Sequence, residues 1–210
     1  MDVIIVSGGR APSLNLFKSL VKANTFVIAA DRGGEFLKEN NIVPDLLVGD
    51  FDSLPDKTLL YFKDKTKIIS YKKEKDFSDT EGAFKEAVKL KPDTIYFLGS
   101  TGTRIDHFLG NLSFLNASLE KRISSYIVDD YNKIFLIDKE CEITKDFGDY
   151  VSFQSFRGDV KDFSLEGSKY KLENYTLKMG DTRPISNEFL NKTIKVKFNK
   201  GKVLVILSKD

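Results

Sequence analysis

Short apolar runs alternate with amphipathic patterns through the first two thirds of the chain. Apolar runs bounded by polar and turn residues are typical of buried strands. The runs predicted as strands are 3–7, 26–30, 45–49, 67–71, 94–99, 124–128 and 133–137. Residues 13–22 and 105–115 repeat apolar side chains every three or four positions, which predicts helices. Strands that alternate with helices indicate a mostly parallel α/β sheet.

The pattern changes after about residue 140 to short alternating runs separated by turn residues, without a helical period. The predicted strands here are 150–156, 170–174, 175–179, 193–198 and 202–207. Asn199, Lys200 and Gly201 between the last two are typical of a β-hairpin turn, in which glycine takes a positive φ. We therefore predict a Rossmann-like α/β domain over residues 1–138 and an all-β sandwich domain over residues 139–210.

Composition excludes several classes of protein. The 33 Lys and Arg residues nearly balance 31 Asp and Glu residues, so the net charge of +2 gives no argument for binding nucleic acid or an anionic membrane. A single cysteine, Cys141, excludes an internal disulfide framework and fits a reducing compartment. Residues 1–10 resemble neither a signal peptide nor a membrane span. We expect a cytoplasmic protein without nucleic-acid or membrane partners.

Charged residues come directly after several predicted strands. Asp31 follows the second strand, Asp50 and Asp52 the third, Asp76 and Asp79 the fourth, and Arg104 and Asp106 the fifth. The carboxyl ends of parallel strands share one edge of a sheet, and open α/β sheets bind ligands there. Acids gathered at one edge repel each other unless a cation lies among them. Because Mg²⁺ takes carboxylate and phosphate oxygens together, the pattern points to a metal-bound phosphate.

Structural interpretations of the same residues remain open. A Gly-Asp-x-Asp-Ser segment such as 49–53 is common in solvated turns. Ser78 and Glu81 form a capping box, so Asp79 could serve only the start of a helix. Asp31, Asp106 and His107, taken singly, are equally compatible with structural roles. Glycines 99 and 102 before Arg104 favour an anion site, but the chain contains no P-loop sequence.

Six segments, read in order, carry a resemblance to a known family. Segments 30–34 (ADRGG), 44–53 (PDLLVGDFDS), 75–84 (KDFSDTEGAF) and 99–112 (GSTGTRIDHFLGNL) resemble the N-terminal half of thiamine pyrophosphokinase. Segments 165–174 (LEGSKYKLEN) and 184–189 (PISNEF) resemble its thiamine-side segments. The order and spacing of these segments carry the resemblance over nearly the whole chain.

The resemblance implies a transferase that moves a pyrophosphoryl group from ATP to the hydroxyl of thiamine, giving thiamine diphosphate and AMP, with Mg²⁺ as cofactor. It also implies a homodimer whose active site is shared between subunits. Its catalytic residues would be Asp50, Asp52, Asp79, Arg104 and Asp106, of which Asp50, Asp52 and Asp79 would bind the metal. The nucleotide would contact Asp31, Gly33, Asp76, Thr80, Gly102, Arg104 and His107, and thiamine would contact Tyr170, Ser186 and Asn187.

Several points stay open at the level of sequence. Asp79 and Asp106 are both candidates to orient or deprotonate the thiamine hydroxyl. Tyr170 stands where family members carry an aromatic that stacks on thiamine, yet a strand residue packed in the sandwich core is the alternative. Two other functions are a nucleotide-sugar transferase, which also uses an Asp-x-Asp motif for a metal, and a non-catalytic thiamine or nucleotide sensor.

Overall fold

The computed structural model describes residues 1–102 and 104–210. Within these ranges the chain divides into two units, Met1–Asp130 and Tyr131–Asp210. The domain boundary predicted between residues 138 and 139 lies later in the chain than this division. That boundary stays a prediction.

The first unit is built on a parallel sheet with the strand order β6-β5-β1-β2-β3-β4. Its strands are β1 (Asp2–Val6), β2 (Thr25–Ala30), β3 (Leu46–Gly49), β4 (Lys67–Ser70), β5 (Thr94–Leu98) and β6 (Ser124–Val128). The connecting helices are α1 (Leu14–Leu20), α2 (Gly33–Glu39), α3 (Asp56–Phe62), α4 (Asp79–Lys89) and α5 (Ile105–Glu120). Strand β1 lies between β2 and β5, where the strand order reverses. The predicted α/β sheet is therefore confirmed.

Local sequence explains these elements. Ile4 and Ile5 are neighbours in β1 and both are fully buried, as expected of a parallel strand covered on both faces. The side chains of Ser13 and Ser78 cap α1 and α4, each accepting a hydrogen bond at 3.2 Å from the backbone N–H three residues later. The helix start predicted at Ser78 is thus confirmed. None of the helices in the described part of the chain is long and apolar enough to cross a membrane.

The second unit consists of antiparallel strands in two sheets. They are β7 (Asn132–Ile137), β8 (Cys141–Thr144), β9 (Tyr150–Ser155), β10 (Val160–Glu166), β11 (Leu172–Leu177), β12 (Asn187–Glu188), β13 (Thr193–Lys197) and β14 (Val203–Ser208). The strands that this unit contributes to one sheet have the order β12-β9-β14-β7, and the other sheet has the order β11-β10-β13-β8. Phe153 and Val205 from the first sheet share a buried core with Phe163 and Val196 from the second. The predicted β-sandwich is confirmed.

Three details of the predicted strands are wrong. The sequence places residues 133–137 among the parallel strands, whereas β7 pairs antiparallel with β14. Residues 170–174 and 175–179 are not separate strands, because the single strand β11 spans their junction. The turn at 199–201 does not close a hairpin, since β13 pairs with β8 and β10 whereas β14 pairs with β7 and β9. Gly201 does have a positive φ, of 125°, where the chain passes from one sheet to the other.

Candidate active site

The carboxyl ends of the parallel strands bring the predicted acids to one edge of the first unit. Asp31 directly follows β2 and Asp50 directly follows β3. Asp79 is the first residue of α4, and Arg104 is the residue before α5, in the segments that leave β4 and β5. These residues therefore lie at the edge of the sheet at which the sequence pattern predicts them.

Lys75 lies between two of these acids. Its Nζ is 2.6 Å from Oδ2 of Asp50 and 3.0 Å from Oδ1 of Asp79, and its side chain is only 8% exposed. The hydrogen bond from Lys75 lowers the pKa of Asp50 against the opposing effect of burial. Burial pulls the pKa of Lys75 down, but the pairing of its ammonium group with both carboxylates outweighs burial and raises that pKa. The Lys75 and Asp50 pair is therefore held in its charged form.

Asp52 is oriented by a different lysine. Nζ of Lys73 lies 2.8 Å from Oδ2 of Asp52, in a pair that is largely exposed to solvent. The backbone N–H of Asp52 donates to Oδ1 of Asp50 at 3.3 Å, so the turn itself is closed by Asp50. No group of three or more His, Cys, Asp or Glu side chains arranged to hold a metal ion occurs in residues 1–102 and 104–210. The assignment of Asp50, Asp52 and Asp79 as metal ligands stays a prediction.

Asp31 is the buried acid of this edge. The Ser53 hydroxyl donates to its Oδ2, whereas its buried Oδ1 has no hydrogen-bond partner among the residues described. Burial raises the pKa of Asp31 more than the Ser53 hydrogen bond lowers it, and the charges of Asp79 and Asp50 raise it further. Because the folded pKa lies above the unfolded value, ionisation of Asp31 lowers the free energy of unfolding as the pH rises through this interval. A cation nearby would remove that penalty.

Close backbone packing explains two glycines at this edge. Gly33 begins α2, and a Cβ built on it would lie 1.9 Å from the carbonyl oxygen of Val6 at the end of β1. Gly99 follows β5 with a φ of 62°, and its Cβ would lie 2.2 Å from the carbonyl oxygen of Ser7. Gly33, predicted to contact the nucleotide, is therefore required by the packing of α2 against β1 whether or not a ligand binds.

Hydroxyl groups connect the start of α4 to the ends of β1 and β5. The Thr80 hydroxyl donates to Oγ of Ser7 at 3.0 Å, and the Ser100 hydroxyl approaches the same oxygen at 3.4 Å. The Asn111 side chain donates to the carbonyl oxygen of Ser100 at 2.9 Å, which ties α5 to the same loop. Thr80, predicted as a nucleotide contact, is thus engaged in holding these segments together.

The remaining predicted nucleotide residues of the first unit lie at the surface. The Arg104 guanidinium donates to both carboxylate oxygens of Asp106, from Nε to Oδ1 at 3.2 Å and from Nη2 to Oδ2 at 2.5 Å. Asp76, Gly102 and His107 are also exposed. The Arg104 and Asp106 pair is well exposed to solvent, so it contributes little to stability and its guanidinium can exchange Asp106 for another anion.

The predicted thiamine residues lie together in the second unit. The Tyr170 side chain is exposed, which excludes the interpretation as a core residue. The buried Asn187 side chain accepts from the Tyr170 backbone N–H at 3.0 Å and donates to the Tyr170 carbonyl oxygen at 2.7 Å. Ser186 is exposed with a φ of 53°, and its N–H donates to Oγ of Ser152 at 2.9 Å. Asn187 thus fixes the backbone that presents the Tyr170 ring.

Comparison with known proteins identifies the family. Residues 17–127 match the family model described as thiamin pyrophosphokinase, catalytic domain, and residues 136–203 match the thiamin pyrophosphokinase, vitamin B1 binding domain. The chain belongs to the thiamine pyrophosphokinase family. Thiamine pyrophosphokinase of Bacillus subtilis (strain 168) is 32% identical over 209 residues, which cover 98% of each chain.

Solved structures of the thiamine pyrophosphokinase family support the assignment. A crystal structure from Bacillus subtilis has a TM-score of 0.91 at 31% identity, with 100% of both chains covered. One from Geobacillus thermodenitrificans has a TM-score of 0.88 at 30% identity, covering 100% of this chain and 98% of that chain. The two-part architecture described above is therefore that of the family.

In this member of the thiamine pyrophosphokinase family, three residues that were not predicted support the predicted site residues. Lys75 was overlooked, although an opposite charge four residues before Asp79 is a signal for an ion pair. Ser53 and Ser7 contact Asp31 and Thr80 from positions 22 and 73 residues away in the chain. No local pattern in the sequence indicates contacts over such separations.

Proposed function

We propose that this chain transfers a pyrophosphoryl group from ATP to the hydroxyl of thiamine at the acid-lined edge of its parallel sheet, giving thiamine diphosphate and AMP. The observation that carries the proposal is the juxtaposition of Asp50, Lys75 and Asp79 at the carboxyl ends of the strands, with Asp31 beside them. Pyrophosphoryl transfer requires mainly charge neutralisation and alignment of the reactants, which such an edge can supply.

Mg²⁺ is the proposed cofactor, held by Asp50 and Asp79 together with phosphate oxygens, with Asp52 as a further predicted ligand on the same turn as Asp50. The donor set fits this ion, because Mg²⁺ is usually bound by one or two carboxylates and by substrate phosphates rather than by an all-protein cage. The unpartnered Oδ1 of Asp31 is a further buried oxygen suited to a nearby cation. When bound, Mg²⁺ neutralises charge on the phosphate oxygens.

The protein's own groups position the triphosphate in this proposal. The loops after β1 and β5 run side by side, with the Gly9 N–H donating to the Gly99 carbonyl oxygen at 2.8 Å. Arg104 at the start of α5 would release Asp106 and hold phosphate oxygens in bidentate fashion. Asp79 and Asp106, the two carboxylates considered for the thiamine hydroxyl, both lie in the first turn of a helix at this edge.

Product analysis tests the proposed reaction. Purified chain incubated with ATP, Mg²⁺ and thiamine is expected to yield thiamine diphosphate and AMP in equal amounts, resolved by liquid chromatography. Formation of ADP with thiamine monophosphate would instead identify a simple kinase. Binding of thiamine without any product would identify a sensor, and turnover of a nucleotide sugar would identify a transferase of the other class.

Tyr170 is proposed to stack on thiamine. We expect Tyr170→Ala to raise the Kd for thiamine about tenfold, because a cation–π contact with the cationic ring contributes about 0.5–2 kcal/mol. The Kd for ATP should change little, and isothermal titration with each ligand measures both. Tyr170→Phe is the matched control, since it keeps the ring face and should bind thiamine normally. An equal loss of affinity for both ligands in the alanine variant would contradict the assignment.

A homodimer with a shared active site and a cytoplasmic location are part of the same proposal, and they rest on the family resemblance. Light scattering coupled to size-exclusion chromatography at assay concentrations is expected to give twice the chain mass of 23.8 kDa. A monomer with full activity would contradict the shared site.

A further inference from the structure

Lys75 differs from the other lysines near the acids in how deeply it is placed. Its side chain is 8% exposed, whereas the side chain of Lys73, which pairs with Asp52, is 70% exposed. A lysine is rarely buried unless it is paired, and Lys75 is paired twice. It joins the turn after β3, through Asp50, to the first turn of α4, through Asp79.

The charges at this point suit replacement of the ammonium group by a divalent ion. Asp50 and Asp79 face Lys75, and the charges of both carboxylates also act on buried Asp31. One ammonium group therefore pairs with two carboxylates that also act on a third, so the cluster keeps an excess of negative charge. A second positive charge at the same place would reduce the repulsion that these acids exert on each other.

The Lys75 ammonium group and a Mg²⁺ ion cannot occupy the space between Asp50 and Asp79 at the same time. Nζ of Lys75 lies within 3.0 Å of one oxygen from each carboxylate. Mg²⁺ binds its oxygens at about 2.0–2.1 Å, which leaves no room for an ammonium group between the same two oxygens. The lysine must therefore leave before a cation can bridge them.

We propose that Lys75 is a positioning residue that holds Asp50 and Asp79 together in the metal-free enzyme and gives up its place to the divalent cation when the metal and nucleotide bind. This inference rests on the proposed function, because it takes Mg²⁺ as the cofactor. The displaced ammonium group gains a phosphate oxygen as its new partner, since lysine binds phosphate as a point charge. Metal binding is thereby coupled to triphosphate binding, and the nucleotide-free chain binds divalent ions weakly.

Titration of the full-length, nucleotide-free chain with Mn²⁺, followed by electron paramagnetic resonance, tests this inference. Lys75→Met removes the competing charge while keeping the length of the side chain, so the Kd for Mn²⁺ should fall about tenfold or more. Lys75→Arg keeps the charge and should bind Mn²⁺ as the unmodified chain does. Lys85→Met is the matched control, because Lys85 pairs on the surface of α4 with Glu81 and is half exposed.

Thermal unfolding gives a second measurement on the same variants. In EDTA, Lys75→Met should have a lower midpoint than the unmodified chain, because two carboxylates lose their counter-ion, and Mn²⁺ should restore it. Lys75→Gln provides the same comparison if the methionine variant does not fold. A variant without the charge that binds Mn²⁺ no more tightly than the unmodified chain would overturn the inference.

The experiments distinguish a failure of the proposed reaction from a failure of the role proposed for Lys75. If the unmodified chain forms no thiamine diphosphate, the proposed reaction is wrong, while the comparison of Mn²⁺ affinities between Lys75→Met and Lys85→Met still reports on Lys75. If the unmodified chain is active and the Mn²⁺ affinities are equal, the reaction stands and the role given to Lys75 is wrong.

Discussion

Asp50→Asn is expected to lower kcat for thiamine diphosphate formation by about 100- to 1,000-fold, the usual cost of removing one group that stabilises charge in a transition state. Asp50 carries the shortest contact to Lys75, at 2.6 Å, and its charge is needed both for that pair and for the proposed metal. Asparagine has the same shape but lacks the charge. Steady-state kinetics with saturating ATP, Mg²⁺ and thiamine measures the effect.

Asp64→Asn is the matched control for this substitution. Asp64 is an exposed aspartate between α3 and β4. It therefore precedes the amino end of a strand, whereas the predicted site residues follow the carboxyl ends. Its substitution should leave kcat within about twofold, because isolated surface charges contribute little. Near-normal turnover of Asp50→Asn with Mg²⁺, in a variant that unfolds at the usual urea concentration, would remove Asp50 from the reacting site.

Gly33→Ala should lower the free energy of unfolding by about 3 kcal/mol or more, because the new methyl group would meet the Val6 carbonyl oxygen at 1.9 Å. That oxygen belongs to the backbone at the end of β1 and has no side-chain rotation with which to move away. Helix α2 would have to shift from the sheet to relieve the contact. Urea unfolding followed by circular dichroism measures the change.

Gly34→Ala is the neighbouring control in the same helix. A Cβ at Gly34 would have the Leu47 side chain as its nearest neighbour, at 3.4 Å, which is an ordinary contact. Alanine is also the better helix former by about 1 kcal/mol, so stability should be unchanged or increased. If both variants were equally stable, the close packing of α2 on β1 would not be the reason for glycine at position 33.

The elements of this fold were predictable where a local pattern specifies them. Continuous apolar runs correctly indicated β1 to β6, and Ser78 indicated the start of α4, because burial and capping leave a signature within a few residues. Helices α2 and α3 were not predicted, because their apolar residues are consecutive (36–37 and 59–62), whereas α1, of the same length, repeats apolar residues every three or four positions. The turn at 199–201 was misread because the choice of partner strand depends on contacts distant in sequence.

The site was predictable in outline and not in its contacts. Parallel strands bring their carboxyl ends to one edge, so the position of Asp31, Asp50 and Asp79 followed from the strand pattern alone. The partner of each carboxylate depends on how side chains are placed in three dimensions. The contacts of Lys75 with Asp50 and of Ser53 with Asp31 are therefore visible only in the structure. The engagement of Asn187 with the Tyr170 backbone likewise has no signature in sequence.

A crystal structure of the chain with Mg²⁺, a non-hydrolysable ATP analogue and thiamine tests the central claim most directly. We predict that the metal is bound by the carboxylates of Asp50 and Asp79 and by phosphate oxygens, with Nζ of Lys75 moved from between the two acids. A triphosphate bound away from the carboxyl ends of β1, β2, β3 and β5, or a metal with no carboxylate from this edge among its ligands, would contradict the account.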